Sequence, residues 1–254
     1  PAVTENVRTE LDPAYILHHR PFRDTSQIID VFSVTQGKIA LVARGSRSGR
    51  SRLKGILRPF QKLRLSWTLK RDLGTLTGAE IAGPPTALGG DSLLSAYYVN
   101  ELLLTFLHRH DPQPEIFAAY GQTIDRLCGT REPASVLREF EIELLRLLGY
   151  ALDLEYEART GELLDDNARY VYRVEEGPVR APAGDSRDSY SGAELKSIAG
   201  FDFESAATLR KANRLLKRVI HFHLGGKELK SRKVLIDLRR DRMRDSGSGE
   251  STDD

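Results

Sequence analysis

One cysteine in 254 residues, Cys128, leaves no partner for an intrachain disulfide and too few thiolates for a zinc cluster. Thiol redox chemistry is not expected. No stretch approaches the roughly 20 apolar residues of a membrane span, and the opening from Pro1 to Asp12 mixes charges where a signal peptide would be apolar. A cytoplasmic location is therefore expected. Acidic residues are scarce in one long interval: from Tyr15 to Arg71 there are only Asp24 and Asp30.

Against those two acids stand 13 basic residues, so this interval has a net charge of +11. Asp72 to Glu204 reverses the balance, with 11 basic and 24 acidic residues and a net −13. Ala207 to Arg244 turns basic again, 13 against three, for a net +10. The overall formal charge of +2 hides this segregation. Two basic blocks flanking an acidic one favour a polyanionic partner over a diffuse role in solubility.

The first 80 residues carry short β-branched and aromatic runs bounded by Gly, Pro, Asp and Ser, which predict strands at Ala14–His19, Ile28–Thr35, Lys38–Ala43, Lys62–Thr68 and Thr75–Ile81. Gln36-Gly37 supplies a hairpin turn between the second and third. Five short strands in this length suit a small closed barrel of the oligonucleotide-binding (OB) type. Arg44–Arg58, with three glycines, three serines and almost nothing apolar, is expected to be a mobile loop. After Gly83-Pro84-Pro85 and Gly89-Gly90 the period changes from about 2 to about 3.6.

Helices are predicted at Ser92–His108, Pro114–Leu127, Pro133–Leu148, Gly192–Ile198, Phe203–Phe222 and Ser231–Arg240. The fold class is thus α+β: a five-stranded OB-type barrel over residues 1–82, then a mainly helical domain over 91–244. An irregular insertion is expected at about 151–191, with a strand-like patch at Tyr170–Val174, and a disordered tail over 245–254.

Arg44, Arg47, Arg50, Arg52, Lys54 and Arg58 form a run of cations able to follow phosphates without a fixed spacing; the competing reading is a solvated loop. Lys62 and Arg64 face outward on the predicted fourth strand, beside that loop. Leu63, Leu65 and Trp67 share the other face, which assigns Trp67 to the core rather than to stacking on a base. Phe60, ahead of the strand, is the better stacking candidate. Arg210, Lys211, Arg214, Lys217 and Arg218 line one helix at three- and four-residue spacings, as a DNA contact or as an ordinary solvated face.

Enzyme motifs are missing. Gly225-Gly226-Lys227-Glu228 lacks the spacing and the Ser or Thr of a phosphate-binding loop. His108 with His110, and His221 with His223, sit two apart within or beside predicted helices and diverge instead of converging on a metal. Glu139, Glu141, Glu143, Asp165 and Asp166 are read as solvated acids, not paired catalytic carboxylates. No catalytic residue, metal or cofactor is expected.

A longer pattern is also present: His19-Arg20-Pro21-Phe22 with Asp24-Thr25-Ser26, Asp30-Val31-Phe32, Gly37-Lys38, Ala43-Arg44-Gly45, Leu53-Lys54-Gly55, Pro59-Phe60, Asn100-Glu101-Leu102-Leu103, Arg138-Glu139-Phe140-Glu141, Leu148-Gly149-Tyr150 and Leu224-Gly225-Gly226-Lys227 with Leu229-Lys230-Ser231-Arg232. In order and spacing this resembles the RecO family of recombination mediators over nearly the whole chain. The resemblance implies binding to single- and double-stranded DNA, annealing of strands coated by single-strand binding protein, and loading of the RecA recombinase together with RecR, in the cytoplasm at the nucleoid.

It also favours DNA contacts at Lys227, Lys230, Arg232 and Lys233, and implies that the helical domain receives the acidic, apolar C-terminal tail of single-strand binding protein. Arg126, Arg131 and Arg138 are candidates for the rim of that site. Many family members have a four-cysteine zinc site at the position of Leu154–Asp188; this chain has no cysteine there and resembles the zinc-free branch. The alternatives are an RNA-binding OB protein, such as a ribosome or tRNA factor, and, more remotely, a metal-dependent nuclease.

Overall fold

The computed structural model describes residues 7–70, 72–130, 132–182 and 188–231. Five strands, β1 (Val7–Phe22), β2 (Ser26–Ser33), β3 (Gly37–Ala43), β4 (Leu63–Lys70) and β5 (Leu73–Ile81), close into a barrel of order β1-β2-β3-β5-β4. β3 and β5 run parallel, while the other pairs are antiparallel. This is the OB-type architecture expected from the strand count. Alternation along the strands fills the interior with Ile16, Ile29, Val31, Ile39, Leu41, Leu63, Leu65 and Trp67, and Trp67 is fully buried.

β1 is longer than its apolar run. Its first half, containing Arg8, Glu10 and Asp12, pairs with β4, and its second half pairs with β2. A register shift between Thr9 and Asp12, with Leu11 at φ 49°, bends the strand from one partner to the other. Buried Asp12 accepts a hydrogen bond from the Ser33 hydroxyl, which satisfies a carboxylate that reads as a strand breaker in sequence.

Two helices pack on the barrel, α2 (Gly90–Phe106) and α3 (Pro114–Gly129). Asn100 on α2 donates to the Leu17 carbonyl of β1 at 2.8 Å and accepts from the Tyr120 hydroxyl of α3 at 2.8 Å. Tyr15 sits against Phe117 and Tyr120, with ring centroids 5.2 and 4.8 Å away. Burial, with Asp125 adding to it, pushes the Tyr15 hydroxyl up to about 12. The chain therefore divides into two compact units, Pro1–Thr130 with Leu229–Asp254, and Arg131–Glu228. The switch of period at Gly83–Gly90 marks a change of element inside the first unit.

In the second unit, α4 (Pro133–Leu147) packs with α6 (Ala206–His223), and α5 (Gly192–Ala199) also packs on α6. The segment expected to be irregular contains a three-stranded antiparallel sheet, β7 (Gly177–Arg180), β6 (Arg169–Arg173) and β8 (Ser189–Ser191), in that order. β6 matches the strand-like patch expected at Tyr170–Val174, whereas β7 and β8, four and three residues long, are too short for periodicity to show in sequence. β8 runs directly into α5 through a capping box, Ser191 and Glu194 each bonding the other's backbone N–H. No helix among the described residues is long and apolar enough to cross a membrane. The predicted helix at Ser231–Arg240, apart from its first residue, and the expected tail lie outside the described residues.

Candidate nucleic-acid interface

The connection from β3 to β4 is not the structureless loop that its composition suggests. It leaves the barrel through a turn in which the Ser46 hydroxyl donates to the Ala43 carbonyl and the Arg47 N–H to the Thr25 carbonyl. A one-turn helix, α1 (Leu53–Ile56), follows. Leu53 and Ile56 pack against the barrel core, and Leu57 is buried. Three apolar side chains scattered among cations have no period of their own, which is why they read as loop. Burial of Leu57 and partial burial of Leu53 and Ile56 anchor the second half of the segment, the Ser46 and Arg47 hydrogen bonds hold its start, and Arg44, Arg47, Arg50, Arg52, Lys54 and Arg58 are all exposed.

Three of these cations converge. Arg47, Lys54 and Arg58 line a cleft of about 500 Å³ together with His19 of β1, Gln27 of β2, Ser46, Leu57 and Pro59. The β1–β2 hairpin and the pinned connection form its two sides. Arg47 also donates to the Arg23 carbonyl at 3.4 Å, which places a further exposed arginine at the tip of that hairpin. Arg20 on the same strand is held by Asp30 at 3.6 Å, and His18 by the same carboxylate at 3.5 Å. Partial burial, with His18 adding to it, lowers the pKa of His19 and so favours its uncharged ring.

His19 and Gln27 were not singled out from the sequence; the signal available was the position of His19 in the hairpin motif next to Arg20. Arg44, Arg50 and Arg52 are exposed on the connection outside the cleft lining. Lys62 and Arg64 are exposed as expected and also lie outside it, Arg64 facing Pro13 on one side and Glu80 of β5 on the other. Phe60 is a correction. It is 5% exposed, takes φ 69° and packs edge-on against Tyr97 at 5.0 Å, so it has no free face for a base.

In the second unit the basic face of α6 is largely occupied by its own fold. Lys211 pairs with Glu194 at 3.3 Å, donates to the Ser189 carbonyl and lies over the Tyr190 ring. Arg214 meets Asp188 at 3.8 Å, and Arg218 donates to the Tyr172 carbonyl. These cations secure the small sheet to the helix. Arg210 and Lys217 are exposed, as are Lys227 and Lys230 beyond the turn after α6. Arg232 and Lys233 lie outside the described residues.

Of the three rim candidates, Arg138 is overturned. It is 6% exposed, hydrogen-bonds Asn213 and pairs with Glu141 at 2.9 Å, whose side chain is fully buried. Glu141 is likewise not the solvated acid expected on that helix. Arg126 is exposed on α3, and Arg131 lies outside the described residues. His108 and His110 fall past the end of α2, and among the described residues no three His, Cys, Asp or Glu side chains are placed to hold a metal.

Two family models match the chain: "Recombination protein O N terminal" over residues 7–85 and "Recombination protein O C terminal" over residues 89–233. Among curated proteins, it is 43% identical over 235 residues to the DNA repair protein RecO of Nitrosococcus oceani, covering 92% of this chain and 96% of that one. The protein of the same name from Methylococcus capsulatus is 39% identical over 227 residues, covering 89% and 93%. That from an Azoarcus species is 40% identical over 235 residues, covering 91% and 97%.

Proposed function

The chain belongs to the recombination protein O family, and from that premise we propose that it is a non-catalytic mediator of DNA repair. It binds single- and double-stranded DNA, anneals complementary strands coated by single-strand binding protein, and assists RecR in loading the RecA recombinase at the nucleoid. The observation that carries the reading is the exposed cation set of the β3–β4 connection, pinned on an OB-type barrel around a cleft. A fixed array of cations on one side of a barrel neutralises phosphates without reading sequence. Once both strands are neutralised in this way their mutual repulsion is screened, and pairing proceeds by base complementarity alone.

A second basic surface is needed to present the other strand, and Lys227 and Lys230 are the described residues offered for it, with Arg232 and Lys233 continuing the run. Exposed Arg126 remains a candidate contact for the acidic tail of single-strand binding protein. The test is annealing of coated complementary oligonucleotides over a salt series, comparing the chain with a variant carrying alanine at Arg44, Arg47, Arg50 and Arg52. We expect the variant to lose annealing. If all four contact phosphates, its slope of log K against log salt becomes shallower by up to about 3 for single strands. A chain that binds RNA oligomers in preference to DNA would replace this reading with the RNA-binding alternative.

A further inference from the structure

The cleft between the β1–β2 hairpin and the pinned connection is more specific than a phosphate track requires. Phosphate neutralisation needs only the exposed cations, yet here Arg47, Lys54 and Arg58 share a concavity with an imidazole, an amide and the apolar surfaces of Leu57 and Pro59. Its volume of about 500 Å³ lies within the range of pockets that take one small ligand. A single nucleotide combines the same chemistries: an anion, a flat face, and an edge of donors and acceptors. Resting on the reading of the chain as a DNA-binding protein, we infer that this cleft seats one unpaired nucleotide of a bound strand, its phosphate among the three cations and its base on the His19 ring beside the Gln27 amide.

The ring is suited to this. His19 is exposed and lines the cleft, and the partial burial that lowers its pKa favours the uncharged ring, which offers a π face instead of one more cation. The aromatics that composition put forward are unavailable: Trp67 lies inside the barrel and Phe60 against Tyr97. A duplex presents its phosphates but keeps its base faces stacked, so only an unpaired nucleotide satisfies both halves of the cleft. The cations then set how tightly any DNA is held, and His19 sets the preference for single strands.

Fluorescence anisotropy of the full chain with an oligothymidylate and with a duplex of equal length, over a salt series, tests this. His19→Ala is expected to weaken single-strand binding at least about fivefold, the lower end of what loss of one stacked base removes. Duplex binding should change less than twofold, and the salt slope should not change. Gln27→Ala should shift the same preference in the same direction. His19→Phe, which keeps a flat ring, should restore single-strand affinity to within about twofold. Arg47→Ala should instead weaken both ligands and make the salt slope shallower for each. Equal losses on strand and duplex for His19→Ala, no loss on either, or a phenylalanine variant no better than alanine would overturn the inference. Failure of the unaltered chain to bind either DNA would overturn the proposed function instead.

Discussion

Arg47 and Arg138 have the same side chain and were both marked by sequence as ligand contacts, but burial separates them. Arg138 has its guanidinium between Asn213 and a fully buried Glu141, so it serves the packing of α4 on α6. Removing one member of such a pair strands the other charge, which costs about 3–5 kcal/mol. Arg138→Ala is therefore expected to lower the stability of the Arg131–Glu228 unit by that order in urea denaturation, whereas Arg47→Ala should leave stability within about 0.5 kcal/mol. Equal stability for both would refute the assignment. His223 offers a pH test in the same unit. It stacks on Tyr150 at 4.0 Å, and burial lowers its pKa below 6.5, with Glu175 opposing. In the window between that lowered value and 6.5 the unfolded chain binds more protons than the folded one, so stability is lost as pH falls through it. His223→Phe should flatten that part of a melting-temperature profile between pH 7 and 5; an unchanged profile would place the titration elsewhere. Which charges are exposed was legible where a cation run lacked acids entirely, and on β4, where alternation turned Lys62 and Arg64 outward. Arg138 sits at the spacing of an ordinary amphipathic helix, and nothing in that spacing shows that its carboxylate partner faces inward.

At the scale of elements, four of the five strands were legible near their true bounds because β-branched residues alternate with polar ones. β1 was only half visible, since its first half, with Arg8, Glu10 and Asp12, pairs with β4 through the backbone without an apolar run to mark it in sequence. Of the three small strands, β6 was legible as the strand-like patch at Tyr170–Val174, while β7 and β8, four and three residues long, were hidden by their length. The β2–β3 turn shows how one residue can carry two requirements of which sequence reveals one. Gly37 was read as a hairpin glycine, and it does take φ 64°. A Cβ there would also lie 2.0 Å from the Asp111 carbonyl oxygen, because the segment after α2 is tied to the turn by the His110 N–H donating to the Lys38 carbonyl, and α2 itself by the Lys38 ammonium donating to the Leu104 carbonyl. Gly37→Ala is thus expected to destabilise by more than the 1–3 kcal/mol of left-handed strain alone. Hydrogen exchange should show faster opening at both the β2–β3 turn and the residues after α2. Loosening confined to the turn would mean that the two segments are not coupled.

At the scale of the whole molecule, the order of charge along the chain was legible, but the route of the chain was not. The helices α2 and α3 belong to the compact unit of the barrel, and the chain leaves that unit at Thr130 and returns to it at Leu229. Periodicity marks where strands give way to helices; it carries no information on which body a helix packs against. A side chain of α2 holds the return at its first described residues. Glu101 on α2 accepts from the backbone N–H groups of Lys230 and Ser231, at 2.9 and 2.8 Å, and from the Ser231 hydroxyl. The second basic run includes Lys230, so under the proposed function Glu101 is a positioning residue for the charges offered to the second strand. Each charge-assisted bond is worth about 1.5–3 kcal/mol. Loss of the set in Glu101→Ala should accelerate tryptic cleavage after Lys227 and Lys230 by tenfold or more under native conditions, read by mass spectrometry of the earliest fragments. Glu101→Gln, which keeps an acceptor, should fall between. Annealing should slow in the same order while affinity for a short oligonucleotide on the barrel is unchanged. Cleavage at the original rate in both variants would show that the returning chain is held by contacts other than Glu101.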